Sequence, residues 1–283
     1  MKLETFFEKF ALFADAPDAV PRMRRLVLDL AVEGKLVAQD PNDEPADELL
    51  KRVQVEKARL VKTGEIKKQE VLPPIADDAL PFSLPLGWVA TQLGDIAVCL
   101  DYMREPINGT ERNLRTAGKN PTELFPYYGA TQQQGWIDDY IFDAELVLLG
   151  EDGVPFFDDL RSKAYLISGK TWVNNHAHIL KFDHMATQHF VEFYLESIPL
   201  DEYITGAAQP KLNQKAMNSI PIPIPKDVAS QGRIVRGVET LSTETHRLAS
   251  LYQQKLAALD ALKKSLLHQA FSGELAGKVL SAV

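Results

Sequence analysis

Hydrophobic spacing changes three times along the 283-residue chain, and each change marks a boundary. Phe6, Phe7, Phe10 and Phe13 fall at i, i+1, i+4 and i+7, which predicts a short amphipathic helix within residues 1–20. Pro21 opens a second helix, since a first-turn proline lacks only an N–H that had no partner; Gly34 closes it. The turn-rich AQDPNDEPAD follows, then a charged helix from Ala46 to Val61 and a polar stretch, Thr63–Glu70. Prolines at 73, 74, 81 and 85 read as a linker. From Trp88 to Phe182 the period shortens. Ile96–Leu100, Leu146–Leu149, Ala164–Ile167 and Ile179–Phe182 read as strands, with Gly129, Gly135, Gly150, Gly153 and Gly169 in the turns. Thr187–Ile198 reads as a short helix. Pro221, Pro223 and Pro225 alternate with Ile220, Ile222 and Ile224, which forbids a helix and fits an extended edge segment.

A long helix then runs from Asp227, its expected N-cap, to His268, roughly 60 Å at 1.5 Å per residue. Its apolar residues follow a heptad. Val238, Tyr252, Leu259 and Leu266 take one core position with Thr245 in register; Leu241, Leu248 and Leu262 take the other, interrupted by Lys255. This predicts a coiled-coil seam packing on another helix. Met23–Val37 and Leu262–Ala276 also align without gaps: Leu28, Ala31, Gly34 and Leu36 match Leu267, Ala270, Gly273 and Leu275. A globular block is thus bracketed by two equivalent helical arms, as in a spacer or assembly device.

Composition narrows the classes. Hydrophobic residues at 45% and charged residues at 25% are ordinary for a globular protein. No apolar run reaches the eighteen or so residues that span a bilayer, and the N-terminus does not read as a signal peptide. Cys99 is the sole cysteine, so no disulfide forms within the chain, and a reducing, cytoplasmic address is expected. Net charge is −8, and all of it lies between Phe82 and Ile220, where 10 Lys+Arg face 18 Asp+Glu. A nucleic-acid surface here has to be a local basic patch on an acidic body.

Enzymatic motifs are missing. Ser168-Gly169-Lys170-Thr171 imitates the end of a phosphate-binding loop, but Ala164 stands where that motif needs its first glycine. No amino-methyltransferase tetrapeptide occurs, and the ExK at Glu65–Lys67 sits in a polar stretch rather than on a core strand. His176, His178, His184 and His189 cluster without an obvious cysteine partner and read as hydrogen-bonded structural histidines; no metal and no cofactor are expected.

Six ordered segments resemble the specificity subunits of type I restriction–modification systems. EGKLVAQDPNDEPADELLKR (33–52) resembles the helical region before a target-recognition domain, and LPFSLPLGWVATQLGDIA (80–97) resembles that domain's opening. YYGATQQQGWIDDY (127–140), LLGEDG (148–153) and WVNNHAHIL (172–180) resemble its internal motifs. AAQPKLNQKAMNSIPIPIP (207–225), with the long helix ending in LKKSLLHQAFSGEL, resembles its exit into the spacer coil. The resemblance implies an α+β fold: an N-terminal helical region (1–72), a mixed α/β target-recognition domain (73–225), and a long coiled-coil spacer helix with its tail (226–283). It implies a non-catalytic subunit that binds double-stranded DNA. That subunit directs a methyltransferase subunit, and through the complex a restriction/translocase subunit, to a bipartite site. Family members commonly carry two recognition domains. One block between two arms therefore implies a half-size version that self-pairs as a homodimer, or part of a longer or split subunit. Arg104, Arg112, Arg115 and Lys119, in an Asn-rich basic loop, are the expected phosphate contacts, with Arg161, Lys163, Lys170 and Lys211 as second choices. Gln132, Gln133 and Gln134 are the expected base readers, because glutamine pairs bidentately with adenine. Trp88, Trp136 and Trp172 read as core. The competing class is a coiled-coil scaffold that binds only protein; a catalytic nuclease or self-sufficient modification enzyme is disfavoured by the missing motifs.

Overall fold

The computed structural model describes residues 19–68, 72–76, 79–153, 156–157, 162–206 and 208–272. The Phe6–Phe13 helix therefore lies outside the described residues. The chain divides into two compact units. One holds Arg25–Val238; the other groups the segment before it with Glu239 onward, of which residues 19–24 and 239–272 are described.

Helix α1 (Ala19–Val32) carries Pro21 in its first turn. It ends where expected: Gly34 takes φ 67°, Gly34 N–H donates to Ala31 O at 3.1 Å, and Lys35 N–H donates to Leu30 O at 2.8 Å. This is a Schellman ending, which needs a left-handed residue and so a glycine. Helix α2 (Ala46–Thr63) ends similarly at Gly64, φ 76°. Its Lys57 reaches out of the helix to the carbonyl oxygens of Gly94 (2.5 Å) and Ala97 (2.9 Å), and burial pulls that ammonium's pKa down to about 8.

Strand β1 (Val89–Gln92) leads through a short helix, α3 (Leu93–Ile96), to β2 (Val98–Cys99). Helix α4 (Gly109–Thr116) occupies the stretch expected to be a basic loop; Asn108 caps it by accepting from Glu111 N–H at 2.9 Å. Strands β3 (Phe125–Tyr128), β4 (Gln133–Ile137), β5 (Phe142–Asp143), β6 (Leu146–Gly150), β7 (Ala164–Ile167), β8 (Lys170–Val173) and β9 (Ala177–Lys181) precede α5 (Met185–Ser197). Then come β10 (Ile204–Thr205), β11 (Lys211–Leu212), α6 (Gln214–Asn218), β12 (Pro221–Ile224) and the long α7 (Val228–Phe271), whose Ser230 N–H is capped by Asp227 at 2.7 Å.

Two four-stranded sheets carry the middle of the chain. One is antiparallel throughout, in the order β2-β9-β6-β7; the other runs β4-β3-β8-β5 and contains one parallel pair, β3 with β8. The apolar run Leu146–Leu149 is wholly buried, and Leu146 and Leu148 pack with Val98, Phe142, Val173 and Ile179. Continuous rather than alternating hydrophobicity marks a strand covered on both faces. The Ser168–Thr171 segment that imitates a phosphate loop is the turn from β7 into β8, with Gly169 at φ 71°.

Strands β1 and β12 pair antiparallel, so the entry and the exit of the middle block meet. The register sets Val89 opposite Ile224 and Thr91 opposite Ile222, and it continues into Leu93 N–H donating to Ile220 O at 2.9 Å. That parity gives the hydrogen bonds toward β1 to the isoleucines and turns each proline, which has no N–H to donate, away from β1, where it too is buried. Around this joint, Gly34 approaches Pro85 and Trp88, while Trp88 Nε1 donates to Gln39 Oε1 at 3.0 Å and Gln39 Nε2 donates to Gly34 O at 3.1 Å. Ala46 N–H donates to Gly87 O at 3.1 Å, and Arg233 pairs with Asp43.

A Cβ on Gly34 would lie 2.5 Å from Pro85 Cγ and 3.1 Å from Trp88, whereas one on Gly64 meets nothing within 4 Å. Both positions have positive φ, so Gly64→Ala is expected to cost about 1 kcal/mol from backbone strain alone. Gly34→Ala adds overpacking and is expected to cost about 2–4 kcal/mol. Urea unfolding of the two variants checks the difference.

Candidate nucleic-acid interface

Helix α4 lies beside edge strand β4, and with their flanking residues they carry Arg112, Arg115, Lys119 and Gln132–Gln134 of the expected contacts. Tyr127, Ile137 and Trp172 form a small core there. Two guanidiniums from α4 lie over it: Arg112 is 4.5 Å from the Tyr127 ring centre and Arg115 is 5.0 Å from that of Trp172. Gly135, on β4, faces the Arg112 guanidinium, and a Cβ there would meet it at an ordinary contact distance of 3.6 Å. Arg115 Nε bonds Asp138 Oδ1 at 2.6 Å, and Lys119 Nζ bonds Asp138 Oδ2 at 2.6 Å. Hydrogen bonds from Lys119 and then Arg115 hold the Asp138 carboxyl below its usual range against a small burial penalty. Sequence reasoning misses Asp138. The signal available is its place just past β4, two residues beyond Trp136 and four beyond Gln134.

Gln132, Gln133 and Gln134 are exposed at the β3–β4 hairpin, where Gly129 N–H donates to Gln132 O at 3.0 Å. Gln133 Nε2 folds back onto Gly135 O at 2.9 Å. Trp136, expected in the core, is 49% exposed on the same strand, while Trp88 and Trp172 are buried. Lys170 sits across the sheet, its ammonium 4.6 Å from the Tyr140 ring centre and 5.9 Å from that of Phe125.

Other expected contacts serve the interior. Lys163 is fully buried, its ammonium donating to Ile198 O at 2.8 Å, and no duplex reaches it. Arg104 is half-buried in an ionic cluster. Its guanidinium bonds Glu151 at 2.6 Å and Asp101 at 3.3 Å, and donates to Ala177 O at 3.0 Å. Lys211 Nζ bonds the other Glu151 oxygen at 2.7 Å. His178 completes the cluster: Nδ1 lies 2.5 Å from Asp101 Oδ2 and Nε2 lies 2.8 Å from Leu212 O. His176 bonds Asp152 at 2.5 Å, so both histidines are hydrogen-bonded to carboxylates, as expected. Burial works to raise the Asp101 carboxyl, but the His178 hydrogen bond and charge, with Arg104, outweigh it and leave the carboxyl below its ordinary value. Arg161 lies outside the described residues.

Pairing of β2 with β9 also brings Cys99 beside Asp101 and His178, with one ligand atom from each within 4.8 Å of the others. No local pattern in the chain signals this meeting. Burial, then the Asp101 charge, push the Cys99 thiol up to about 12, and Arg104 already occupies the Asp101 carboxylate. A protonated thiol and a carboxylate engaged by Arg104 and hydrogen-bonded to His178 make a hydrogen-bonded cluster of this trio and a poor cradle for a dication.

Along α7, Val238 and Thr245 are buried and Leu241, Leu248 and Tyr252 are half-buried, whereas Leu259, Leu262 and Leu266 are 61%, 55% and 45% exposed.

Comparison with known proteins places these features. The model of the type I restriction modification DNA specificity domain matches residues 85–256, from just before β1 into α7 and over more than half of the chain. The chain belongs to this family. It is 55% identical over 83 residues to the specificity subunit of the Escherichia coli type I restriction enzyme EcoEI, covering 29% of this chain and 14% of that protein. It is also 55% identical over 89 residues to the EcoAI specificity subunit of the same organism, covering 31% of this chain and 15% of that protein. The chain thus spans a small part of the length of these relatives. A solved structure of a type I restriction–modification system superposes with a TM-score of 0.50 at 18% identity over 80% of this chain and 54% of that one, a likeness of fold. No helix of the described residues is long and apolar enough to cross a membrane.

The cluster and the surface cations respond differently to substitution. Arg104→Met leaves Asp101 and Glu151 short of a half-buried cation and is expected to cost about 3–5 kcal/mol, whereas Arg112→Gln costs at most about 1 kcal/mol. Denaturant melts of both variants check this. The Asp101 contribution is present in full above the ordinary carboxylate pKa of 3.8 and is lost as pH falls through the lower folded-state value. Acid unfolding of His178→Asn is therefore expected at higher pH than in the unmodified protein.

Proposed function

We propose that the chain is the DNA sequence-recognition subunit of a type I restriction–modification complex, and that residues 73–225 read one half of a bipartite site. The observation that carries this reading is the surface of α4 and β4. There the exposed glutamines and Trp136 lie along the β3–β4 hairpin, whose Gly135 faces the Arg112 guanidinium of α4, in a domain whose family model is named for DNA specificity. Glutamine amides supply the paired donor and acceptor that a base edge presents in the major groove, and the cations set the register through phosphates. Of the residues expected to touch DNA, Arg112, Arg115, Lys119, Lys170, Gln132, Gln133 and Gln134 keep this role. Lys211 and Arg104 are both bonded to Glu151 instead.

The domain limits 73–225 draw support from the β1–β12 pairing, which closes the block just inside them. Residues 1–72 form the helical approach and 226–283 the spacer. The chain itself is non-catalytic: methylation and cleavage belong to a methyltransferase subunit and a restriction/translocase subunit that it positions in the cytoplasm. The exposed Leu259, Leu262 and Leu266 at heptad spacing favour pairing of the spacer with a second copy, and two copies would set two readers at a fixed separation.

The test is methylation mapping in cells carrying the chain with its methyltransferase partner. A defined bipartite motif is expected. Gln133→Ala and Gln134→Ala are expected to relax one position of it, by about 1–3 kcal/mol of discrimination for each base left unread. Modification with no sequence dependence, or a motif unchanged by both substitutions together with Arg112→Gln, would overturn the reading.

A further inference from the structure

Five of the ten cations on the acidic middle block are engaged within it. Arg104, Arg115, Lys119 and Lys211 each bond a carboxylate at 3.3 Å or less, and Lys163 is buried. Three further lysines, two of them from the segment before the block, line one cleft of about 530 Å³, which lies apart from the α4–β4 face. Lys67 and Lys68 enter it from the segment after α2, and Lys215 enters from α6. All three are exposed, and among the described residues none pairs with a carboxylate. Lys67 Nζ stands 4.8 Å from the Tyr102 ring centre, which holds it at the cleft wall. The side chains of Gln214 and Asn218 add amide donors. The carboxylate in the lining, Asp101, is taken by His178 and Arg104 and has little charge left to offer a ligand cation.

Three unpaired ammoniums, two amides and a neutralised carboxylate form a receptor for an anion with several acceptor oxygens. Lysine binds phosphate as a point charge without demanding one planar geometry, which suits a strand backbone that must be held whatever its sequence. The segment from Asp101 to Asn108 runs from this cleft to the cap of α4, with Trp172 Nε1 donating to Glu105 O at 3.1 Å along the way. Cleft and reading face are therefore joined by one short, pinned stretch of chain.

We propose that the cleft of Lys67, Lys68 and Lys215 grips the phosphodiester backbone of the duplex next to the bases read by the α4–β4 face, and that this grip is independent of sequence. The proposal rests on the DNA-recognition reading above and adds a second contact region to it. The test uses the full chain carrying K67Q, K68Q and K215Q together, with duplex DNA as the probe and affinity measured against salt concentration. The slope of log affinity against log salt is expected to shrink by roughly 2–3, near 0.9 for each phosphate no longer neutralised. The preference among sequences and the melting temperature are expected to stay unchanged. Lys181→Gln, elsewhere on the block, is the control and should leave the slope alone.

An unaltered slope in the triple variant, with the unmodified chain still reading its sequence, would overturn this proposal and leave the recognition reading standing. Calorimetric binding of inorganic phosphate that depends on the three lysines, together with an unaltered slope for duplex, would assign the cleft to a free anion and overturn the backbone contact. Absence of any duplex binding by the unmodified chain would overturn both readings.

Discussion

The pairing of β1 with β12 is the constraint on which the rest of the middle block depends. A chain that leaves helix α2, builds two sheets and must deliver a long helix needs its entry and exit at one place. Four residues on each side achieve this, because isoleucine and proline alternate in β12 at the period of a strand. The isoleucines supply hydrogen bonds and fully buried side chains; the prolines, also buried, lose nothing by lacking an N–H on the side away from β1. The joint is braced by Trp88 against Phe190, edge to face at 5.8 Å, and by Thr187 Oγ1 donating to Gln231 Oε1 at 2.5 Å, which ties α5 to the root of α7.

A second constraint concerns charge. The block carries an excess of carboxylates, and the fold disposes of many of them in pairs with its own cations. The cluster of Asp101, Arg104, Glu151, Lys211 and His178 fastens β6, β9, β11 and the turn after β2 together around a polar centre. Such a cluster is costly to break, because removing one member strands the others without water. Its effect on the outside is equally important. By absorbing the acidic residues nearest to them, these pairings let a few exposed lysines and arginines dominate the potential locally, although the net charge of the chain is negative.

Much of this is legible in the sequence where side-chain chemistry and backbone period agree. The runs Leu146–Leu149 and Ala164–Ile167 announce strands because they are apolar throughout, and Asp227 and Gly34 announce helix ends through their backbone roles. Helix α4 is not legible. GTERNLRT has no apolar stripe, and the helix is held by the Asn108 cap and by guanidinium–ring contacts with residues of β3 and β8, distant in sequence. Strand β4 is hidden for a related reason: QQGWI at an edge needs hydrophobic cover only at Ile137. The roles of individual cations are the least legible part. Lys163 and Arg104 look like surface residues until long-range pairing surrounds them, and no local pattern separates them from Arg112 or Lys170.

The edge position of β4 has a consequence for how freely its surface can vary. An uncovered strand edge invites stacking by another molecule's strand, and polar residues with an irregular ladder discourage it. The glutamines of β4, and the register shift in β3 between Tyr127 and Tyr128, provide that discouragement here. Replacing the glutamines with branched apolar residues would bring self-association before it brought a new sequence preference. The alphabet open to this hairpin is thus bounded by colloidal stability as well as by the partner it faces.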